Sequence, residues 1–271
     1  MDISETNFRA NITERMKLHF VEYGSPKTLV ILHGLLGSER NWYSVAKKLS
    51  DHYRLIIPDL RNHGVSPHDP DHSIVAMRKD IEALVDRLHL HEFYLLGHSM
   101  GGHVAMNYAF AHPERVKALI VEDIAPRSYG TGLIEILTAM NAVDLNLYKE
   151  KKQVEVALAE GIKNPAVRSF VITNLVRDHD RMYWRVNLPA LTEFAANEIV
   201  RFKASENDRF HGPTLFVGGE KSMYNLRDDA ELIAKHFPSS ALEMIPDAGH
   251  WIHHEKADVF CQIVMDFLNR H

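Results

Sequence analysis

Residues 93–102 read FYLLGHSMGG, and residues 103–112 continue as HVAMNYAFAH, a segment of helical character. The opening four residues are apolar, as in a buried β-strand, so Gly97, Ser99 and Gly101 fall on a turn between a strand and a helix. Such a turn strains the backbone of Ser99, and side chains at positions 97 and 101 would collide. The Ser99 hydroxyl is then presented at the carboxyl edge of a sheet and at a helix N-terminus, where negative charge is favoured. The stretch predicts a nucleophilic Ser99; the alternative is a glycine-rich turn that only packs or binds phosphate.

Short apolar runs rich in β-branched residues alternate with longer helical patterns along the chain. The predicted strands are residues 28–32, 54–57, 93–96, 118–121, 214–217 and 241–245, with an antiparallel edge strand at 17–22. Helical spacing marks residues 41–50, 74–89, 101–112, 226–237 and 255–270. This alternation predicts an α/β fold with a mostly parallel sheet and helices on both faces.

One long segment interrupts the alternation. From about residue 127 to residue 203 helical patterns predominate, at 133–140, 153–161 and 166–175, and no strand-like run leads into a crossover. An insertion of this size between two strands predicts a helical cap over 127–203, on a core formed by 16–126 and 204–271. Residues 1–15 are polar and are expected to form an N-terminal extension.

A serine nucleophile needs a base, and a carboxylate must orient that base. His250 follows the last predicted strand, in the segment Asp247-Ala248-Gly249-His250-Trp251, so it is the predicted base. Two strand ends offer an acid: Asp123 follows 118–121, and Glu220 follows 214–217. Ser222, two residues after Glu220, cannot carry a charge. We predict Asp123 as the acid, with Glu220 as the alternative acid. A non-catalytic alternative for Asp123 is that it only caps a helix at the entrance to the cap.

Two backbone N–H groups should bind the oxyanion that forms during acyl transfer. The residue directly after the nucleophile, Met100, supplies one of them. The loop His33-Gly34-Leu35-Leu36-Gly37 ends an earlier strand, and we predict that the Leu35 N–H supplies the other. The alternative is that this loop is only a turn that ends the strand.

Composition excludes several classes of function. The formal net charge is −5, and no basic footprint for nucleic acid is present. No apolar run is long enough for a membrane span and no secretory signal opens the chain, so a cytoplasmic location is expected. The chain has 18 histidines, but they lack metal-ligand spacing such as HExxH, and neither a metal nor a cofactor is predicted. The single cysteine, Cys261, is expected to be a buried thiol.

Three segments together resemble the α/β-hydrolase superfamily: the elbow at 97–102, the loop at 33–37, and Asp-Leu-Arg-Asn-His-Gly-Val-Ser at 59–66. Within it, three details resemble the bacterial YbfF-type esterase/acyl-CoA thioesterase group, which is related to abhydrolase-11 proteins. These are RNHG at 61–64, Asp-Ile-Ala-Pro at 123–126, and Ser222 at a position where many α/β hydrolases carry Asp. The resemblance covers about residues 16–271. It implies esterase activity on short acyl esters, possible thioesterase activity, a helical cap, and a triad acid at the position of Asp123.

The residues around the predicted nucleophile indicate an apolar pocket for a small-molecule ester or thioester. The predicted substrate-binding residues are His33, Gly34, Leu36, Ile124, Trp184 and Trp251. Other chemistries share the triad, namely carbon–carbon bond hydrolysis, lyase and perhydrolase reactions, and a binding protein on the same scaffold is a further alternative. The sequence leaves the natural substrate and the oligomeric state open.

Overall fold

The architecture is a parallel sheet between two layers of helices. The computed structural model describes residues 16–129, 132–179, 181–199 and 204–271. Its strands are β1 Phe20–Tyr23, β2 Lys27–Leu32, β3 Tyr53–Pro58, β4 Phe93–His98, β5 Val116–Glu122, β6 Leu175–Asp178, β7 Arg181–Trp184, β8 Thr214–Gly219 and β9 Ser240–Ile245. Seven of them form one sheet in the order β1-β3-β2-β4-β5-β8-β9. Every neighbouring pair is parallel except β1 and β3. The predicted mostly parallel sheet with an antiparallel edge is confirmed.

Helices cover both faces of this sheet. The α-helices are α1 Tyr43–Leu49, α2 Ile74–Arg87, α3 Met100–Ala111, α4 Gly132–Ala142, α5 Lys151–Ala157, α6 Pro165–Ile172, α7 Leu188–Phe194, α8 Ala230–His236, α9 Ile252–Glu255 and α10 Ala257–Leu268. Leu29 and Ile31 of β2 pack with side chains of α1 and α10 in one buried cluster. Val30 and Leu32 pack with α2 and α3 in the other. Successive residues of a strand point to opposite faces, so a strand covered on both sides reads as a continuous apolar run.

The segment between β5 and β8 forms the cap, which contains α4 to α7. Its buried side chains extend the core cluster that lies on the α2 and α3 side of the sheet. The Ala204 N–H donates to the Pro126 carbonyl at 3.3 Å, so the chain leaves and re-enters the core at adjacent points. The predicted boundaries of 127 and 203 stay a prediction, since residues 200–203 lie outside the described residues. The predicted extension at 1–15 also lies outside them.

The cap contains one element besides the helices that predominate in its sequence. Strands β6 and β7 pair in an antiparallel hairpin from Leu175↔Trp184 to Asp178↔Arg181. The helix expected at 166–175 ends at Ile172, so Leu175 belongs to a strand instead. The strands are four residues each, too short for their alternating pattern to stand out from the helical spacing before them. The helix predicted at 166–175 is therefore wrong at its C-terminal end, and the cap contains this hairpin besides its helices.

The cap is joined to the core by polar contacts as well as by apolar packing. Asn187, which caps α7, donates its backbone N–H to the Asn62 carbonyl at 3.1 Å and its amide to Asn62 Oδ1 at 2.9 Å. His68 bonds through Nε2 to the Arg185 carbonyl at 2.9 Å.

Within the described ranges, no helix is both long enough and apolar enough to cross a membrane.

Candidate active site

The elbow at Ser99 has the strained geometry that its sequence indicates. Strand β4 ends at His98 and α3 begins at Met100, which leaves Ser99 at φ 53° and ψ −119°. A Cβ on Gly97 would lie 2.2 Å from the Gly101 carbonyl oxygen, and one on Gly101 would lie 2.5 Å from the Leu32 carbonyl oxygen. The Ser99 N–H donates to the Glu122 carbonyl at 2.9 Å, which ties the turn to the end of β5. The turn can close only because glycine occupies both positions.

Asp123 and His250 meet beside this elbow. Asp123 follows β5 at φ 55° and is fully buried, and its Oδ2 lies 2.7 Å from His250 Nδ1. When Nδ1 carries the proton that it donates to the carboxylate, Nε2 is left to accept one. Ser99 and His250 both line the same cavity. The geometry thus brings together the three residues that the sequence proposes as nucleophile, acid and base.

Two further donors hold the Asp123 carboxylate. The Gly219 N–H donates to Oδ1 at 3.1 Å, and the Ser222 hydroxyl donates to Oδ2. In the sequence Ser222 is notable only as a residue that cannot serve as the acid, whereas in the structure it is a hydrogen-bond donor to the predicted acid. The alternative acid, Glu220, instead pairs with Arg227 at 2.6 Å on an exposed part of the surface.

The loop after β2 is held by two buried histidines. His33 Nδ1 donates to the Gly34 carbonyl at 2.8 Å, so its Nε2 accepts from the Leu60 N–H at 2.9 Å. His63 Nδ1 donates to the Arg61 carbonyl at 2.9 Å, and its Nε2 accepts from the Leu36 N–H at 3.1 Å. Burial lowers the pKa of both imidazoles, which keeps them neutral and able to accept.

Neither of the two predicted oxyanion donors has a hydrogen-bond acceptor for its backbone N–H among the described residues. Met100 is the first residue of α3, so its N–H has no acceptor within the helix. The Leu35 N–H has no hydrogen-bond acceptor among the described residues. A peptide N–H left unpaired in a buried loop carries a free-energy cost that a bound oxyanion would relieve.

The cavity at Ser99 encloses about 370 Å³ of space that atoms do not fill, part of it open to solvent. Apolar side chains make up most of the lining, which consists of Leu35, Leu36, His98, Ser99, Leu133, Ile136, Val167, Phe170, Val171, His250 and Trp251. The cap supplies its roof through α4 and α6, and the rings of Phe170 and Trp251 lie 5.1 Å apart. No carboxylate, lysine or arginine stands among these described lining residues.

The predicted substrate-binding residues divide into two groups. Leu36 and Trp251 line the cavity, whereas His33, Gly34, Ile124 and Trp184 do not. Ile124 packs behind α3, where a Cβ on Gly102 would come within 2.6 Å of its Cγ2. Trp184 lies in β7 and packs against the apolar core.

Sequence reasoning missed Val167, Phe170 and Val171 as lining residues. Their helical spacing was visible in the predicted helix at 166–175. The same spacing fits a face packed inside the cap, and only the way α6 seats on the core decides between the two.

A second imidazole–carboxylate cluster lies buried behind the elbow. His253 donates its backbone N–H to Glu122 Oε1 at 2.8 Å and bonds through Nδ1 to the same carboxylate at 2.9 Å. His98 Nε2 bonds to the His250 carbonyl at 2.9 Å. Burial raises the pKa of Glu122 to about 7 and lowers that of His253 to about 3, so the pair carries at most one charge near neutrality.

Among the described residues, His98, Glu122 and His253 have ligand atoms close enough together to hold a metal ion, within 4.8 Å of one another. Each already has a hydrogen-bond partner in the protein, so hydrogen bonding explains the cluster without an ion. The cluster instead fixes the loop that carries His250, through the carbonyl of that residue and through the His253 N–H.

The chain is similar to known α/β hydrolases in both sequence and fold. The sequence profile of the alpha/beta hydrolase fold family matches residues 27–257. The sn-1-specific diacylglycerol lipase ABHD11 of Danio rerio is 37% identical over 253 residues, which cover 90% of this chain and 79% of that protein. Esterase YbfF of Escherichia coli is 32% identical over 245 residues, 89% of this chain and 92% of the relative. The solved structure of a marine microorganism esterase superposes with a TM-score of 0.89 at 36% identity, covering 93% of this chain and 99% of the other.

Proposed function

The chain belongs to the α/β-hydrolase family, among relatives named as esterases and lipases, and from this premise we propose that it is a serine carboxylesterase acting on small acyl esters. The observation that carries the proposal is the 2.7 Å contact between Asp123 Oδ2 and His250 Nδ1, on the cavity that Ser99 also lines. An elbow serine and an imidazole on one cavity, with a buried carboxylate bonded to that imidazole, are the parts that acyl transfer needs.

The reaction has two halves. His250 Nε2 takes the hydroxyl proton as Ser99 Oγ attacks the ester carbonyl, and the N–H groups of Leu35 and Met100 stabilise the oxyanion. The tetrahedral intermediate collapses, the leaving oxygen takes the proton from His250, and an acyl-enzyme remains on Ser99. Water then loses a proton to His250 as it attacks the acyl carbon. The second tetrahedral intermediate releases the carboxylic acid, and His250 returns the proton to Ser99 Oγ, which restores the hydroxyl.

The lining favours an uncharged apolar acyl group. Leu133, Ile136, Val167 and Val171 offer no hydrogen bond or charge, so a charged acyl chain would lose hydration without compensation there. The diacylglycerol lipase and esterase names of the relatives agree with an acyl ester as substrate. A thioester has the same carbonyl and a better leaving group, so we include acyl-CoA thioesters as a second substrate class. No metal or cofactor has a step in this mechanism.

The experiment compares the wild type with Ser99→Ala and with the control Ser169→Ala, which alters an exposed serine of the cap. The substrates are p-nitrophenyl acetate and butyrate beside acetyl-CoA and butyryl-CoA, and a fluorophosphonate probe reports nucleophile labelling by mass. We expect hydrolysis and labelling in the wild type and the control, and loss of both in Ser99→Ala. Equal labelling of Ser99→Ala, or a folded wild type that neither labels nor hydrolyses any of these substrates, would refute the proposal.

A further inference from the structure

We propose that Asn174, a residue of the cap, positions the oxyanion hole by holding the backbone of Leu36. The inference rests on the proposed function, because it assigns a role in that same site. It makes the oxyanion hole depend on the packing of the cap against the core. The cap helices that line the cavity and the oxyanion hole therefore take up their final positions together.

Asn174 is well placed to hold a neighbouring segment. It lies between α6 and β6 and is only 4% exposed. Its N–H donates to the Val171 carbonyl at 3.0 Å and its carbonyl accepts from the Arg185 N–H at 2.8 Å, both within the cap. Its side-chain Nδ2 leaves the cap and donates to the Leu36 carbonyl at 2.8 Å. A carbonyl oxygen can only accept, so the amide nitrogen must be the atom that faces it.

Leu36 needs such support, because its backbone is strained. It sits at φ 61°, in the left-handed region that leucine rarely adopts. A conformation of this kind persists only when the surrounding structure enforces it. Here the Leu36 carbonyl is held by Asn174, and its N–H is held by His63 Nε2 at 3.1 Å.

The contact between His63 Nε2 and the Leu36 N–H comes from the core. The imidazole is completely buried, and its Nδ1 donates to the Arg61 carbonyl at 2.9 Å, which leaves Nε2 as an acceptor. Leu36 is thus fixed between the RNHG segment of the core at 61–64 and a cap residue 138 positions away in sequence from the leucine.

The two contacts on the Leu36 backbone affect the reaction through the adjacent residue, Leu35. The peptide between Leu35 and Leu36 ends in the N–H that His63 holds, and the preceding N–H, that of Leu35, is the proposed oxyanion donor. A hole donor works only within about 2.7–3.1 Å of the oxyanion. If Leu36 relaxed toward an ordinary φ value, the loop would rotate and its Leu35 N–H would turn from the site.

The test uses Asn174→Leu, which keeps a similar volume but removes the donor, and Asn174→Asp, whose carboxylate cannot donate. The matched control is Asn141→Leu, another cap asparagine, whose amide bonds to the Leu137 carbonyl and to Thr192 Oγ1. Each variant is assayed for kcat and KM on p-nitrophenyl butyrate, for affinity toward an alkyl trifluoromethyl ketone, and for melting temperature.

We expect both Asn174 variants to lose roughly 10- to 100-fold in kcat, because a misplaced donor no longer stabilises the transition state. KM should change by less than about twofold, and ketone affinity should fall by the same factor as kcat/KM, since the ketone adduct places an oxyanion in the hole. The control should match the wild type. Where Asn174→Leu melts below the assay temperature, Asn174→Ser gives the same readouts with a hydroxyl too short to replace the amide.

Two results would overturn the inference. One is a wild-type kcat in folded Asn174 variants. The other is a loss confined to KM with unchanged ketone affinity, which would make Asn174 a substrate contact. Failure of the proposed function itself looks different, because the wild type would then show neither labelling at Ser99 nor hydrolysis.

Discussion

At the scale of single residues, the Asp123 carboxylate is the group on which the proposed chemistry most depends. It is fully buried, and burial of an unpaired charge is costly. His250, Ser222 and the Gly219 N–H all direct hydrogens at its two oxygens. The same contacts that make the buried charge tolerable also fix the direction from which the carboxylate meets the imidazole.

Asp123→Asn tests the assignment of the acid. The amide cannot stabilise the imidazolium and favours the wrong imidazole tautomer, so kcat should fall by about 10⁴-fold while the fold is retained. Steady-state hydrolysis of p-nitrophenyl butyrate and the circular dichroism spectrum measure the two outcomes. Glu220→Gln is the control, because it removes the alternative acid and should leave kcat unchanged. A collapse of activity in the Glu220 variant and not in the Asp123 variant would reverse the assignment.

Ser222→Ala tests whether the hydroxyl supports Asp123. A hydrogen bond to a charged group is worth about 1.5–3 kcal/mol. We expect kcat to fall by about 10-fold, because the carboxylate loses one of the contacts that aim it at His250. The exposed Ser169→Ala is again the comparison, and unchanged kcat in Ser222→Ala would show that the remaining donors suffice.

At the scale of elements, the loop after β3 is joined to α2 by a buried ion pair. Arg61 Nε lies 2.6 Å and Nη2 2.8 Å from the two carboxylate oxygens of Asp80, and the side chains are 9% and 4% exposed. This pair anchors the segment that carries His63, and through it the loop of Leu36. A buried pair of this kind costs most when one partner is removed, since the other is left as an unpaired charge.

Arg61→Ala should therefore lower the free energy of unfolding by about 3–5 kcal/mol. The comparison is Arg54→Ala, which breaks the more exposed pair with Glu22 at 2.7 Å and should cost at most about 1 kcal/mol. Urea titration followed by circular dichroism gives both values. Equal losses for the two variants would mean that burial does not set the strength of the Arg61 pair.

At the scale of the whole molecule, buried neutral histidines couple stability to pH. Burial lowers the pKa of His72, His103 and His253 to about 3, against an ordinary value of 6.5. Between these values the unfolded chain binds protons that the folded protein does not, so stability from these groups rises with pH and is lost as pH falls below about 6.5. Glu122 acts in the opposite direction, because its pKa of about 7 favours the folded protein at lower pH.

We therefore expect the melting temperature to fall as the pH is lowered from 6.5 to 4. His103→Gln should flatten this dependence, since a glutamine can still donate to the Ala125 carbonyl but takes up no proton on unfolding. The exposed His91→Gln should reproduce the wild-type curve. A parallel acid dependence in wild type and His103→Gln would exclude this histidine as a contributor.

Much of the architecture could be predicted from local patterns. Buried parallel strands such as β2 and β5 are apolar throughout, and the elbow needs its glycines within a few residues of Ser99, so both leave a mark in a short stretch of sequence. The hairpin of β6 and β7 is harder to recognise in the sequence. Its two four-residue strands are stabilised more by their pairing and by the core beneath them than by their own residue pattern.

The fold class, the elbow and the candidates for nucleophile, base and acid can all be predicted from the amino-acid sequence, since each depends on residues close together in the chain. Which of these residues meet depends on how the chain folds. Asp123 reaches His250 across 127 positions and Ser222 across 99, and Asn174 reaches Leu36 across 138. Such contacts leave no spacing rule in one sequence, because packing of the sheet and the cap brings distant segments together and their separation along the chain is arbitrary.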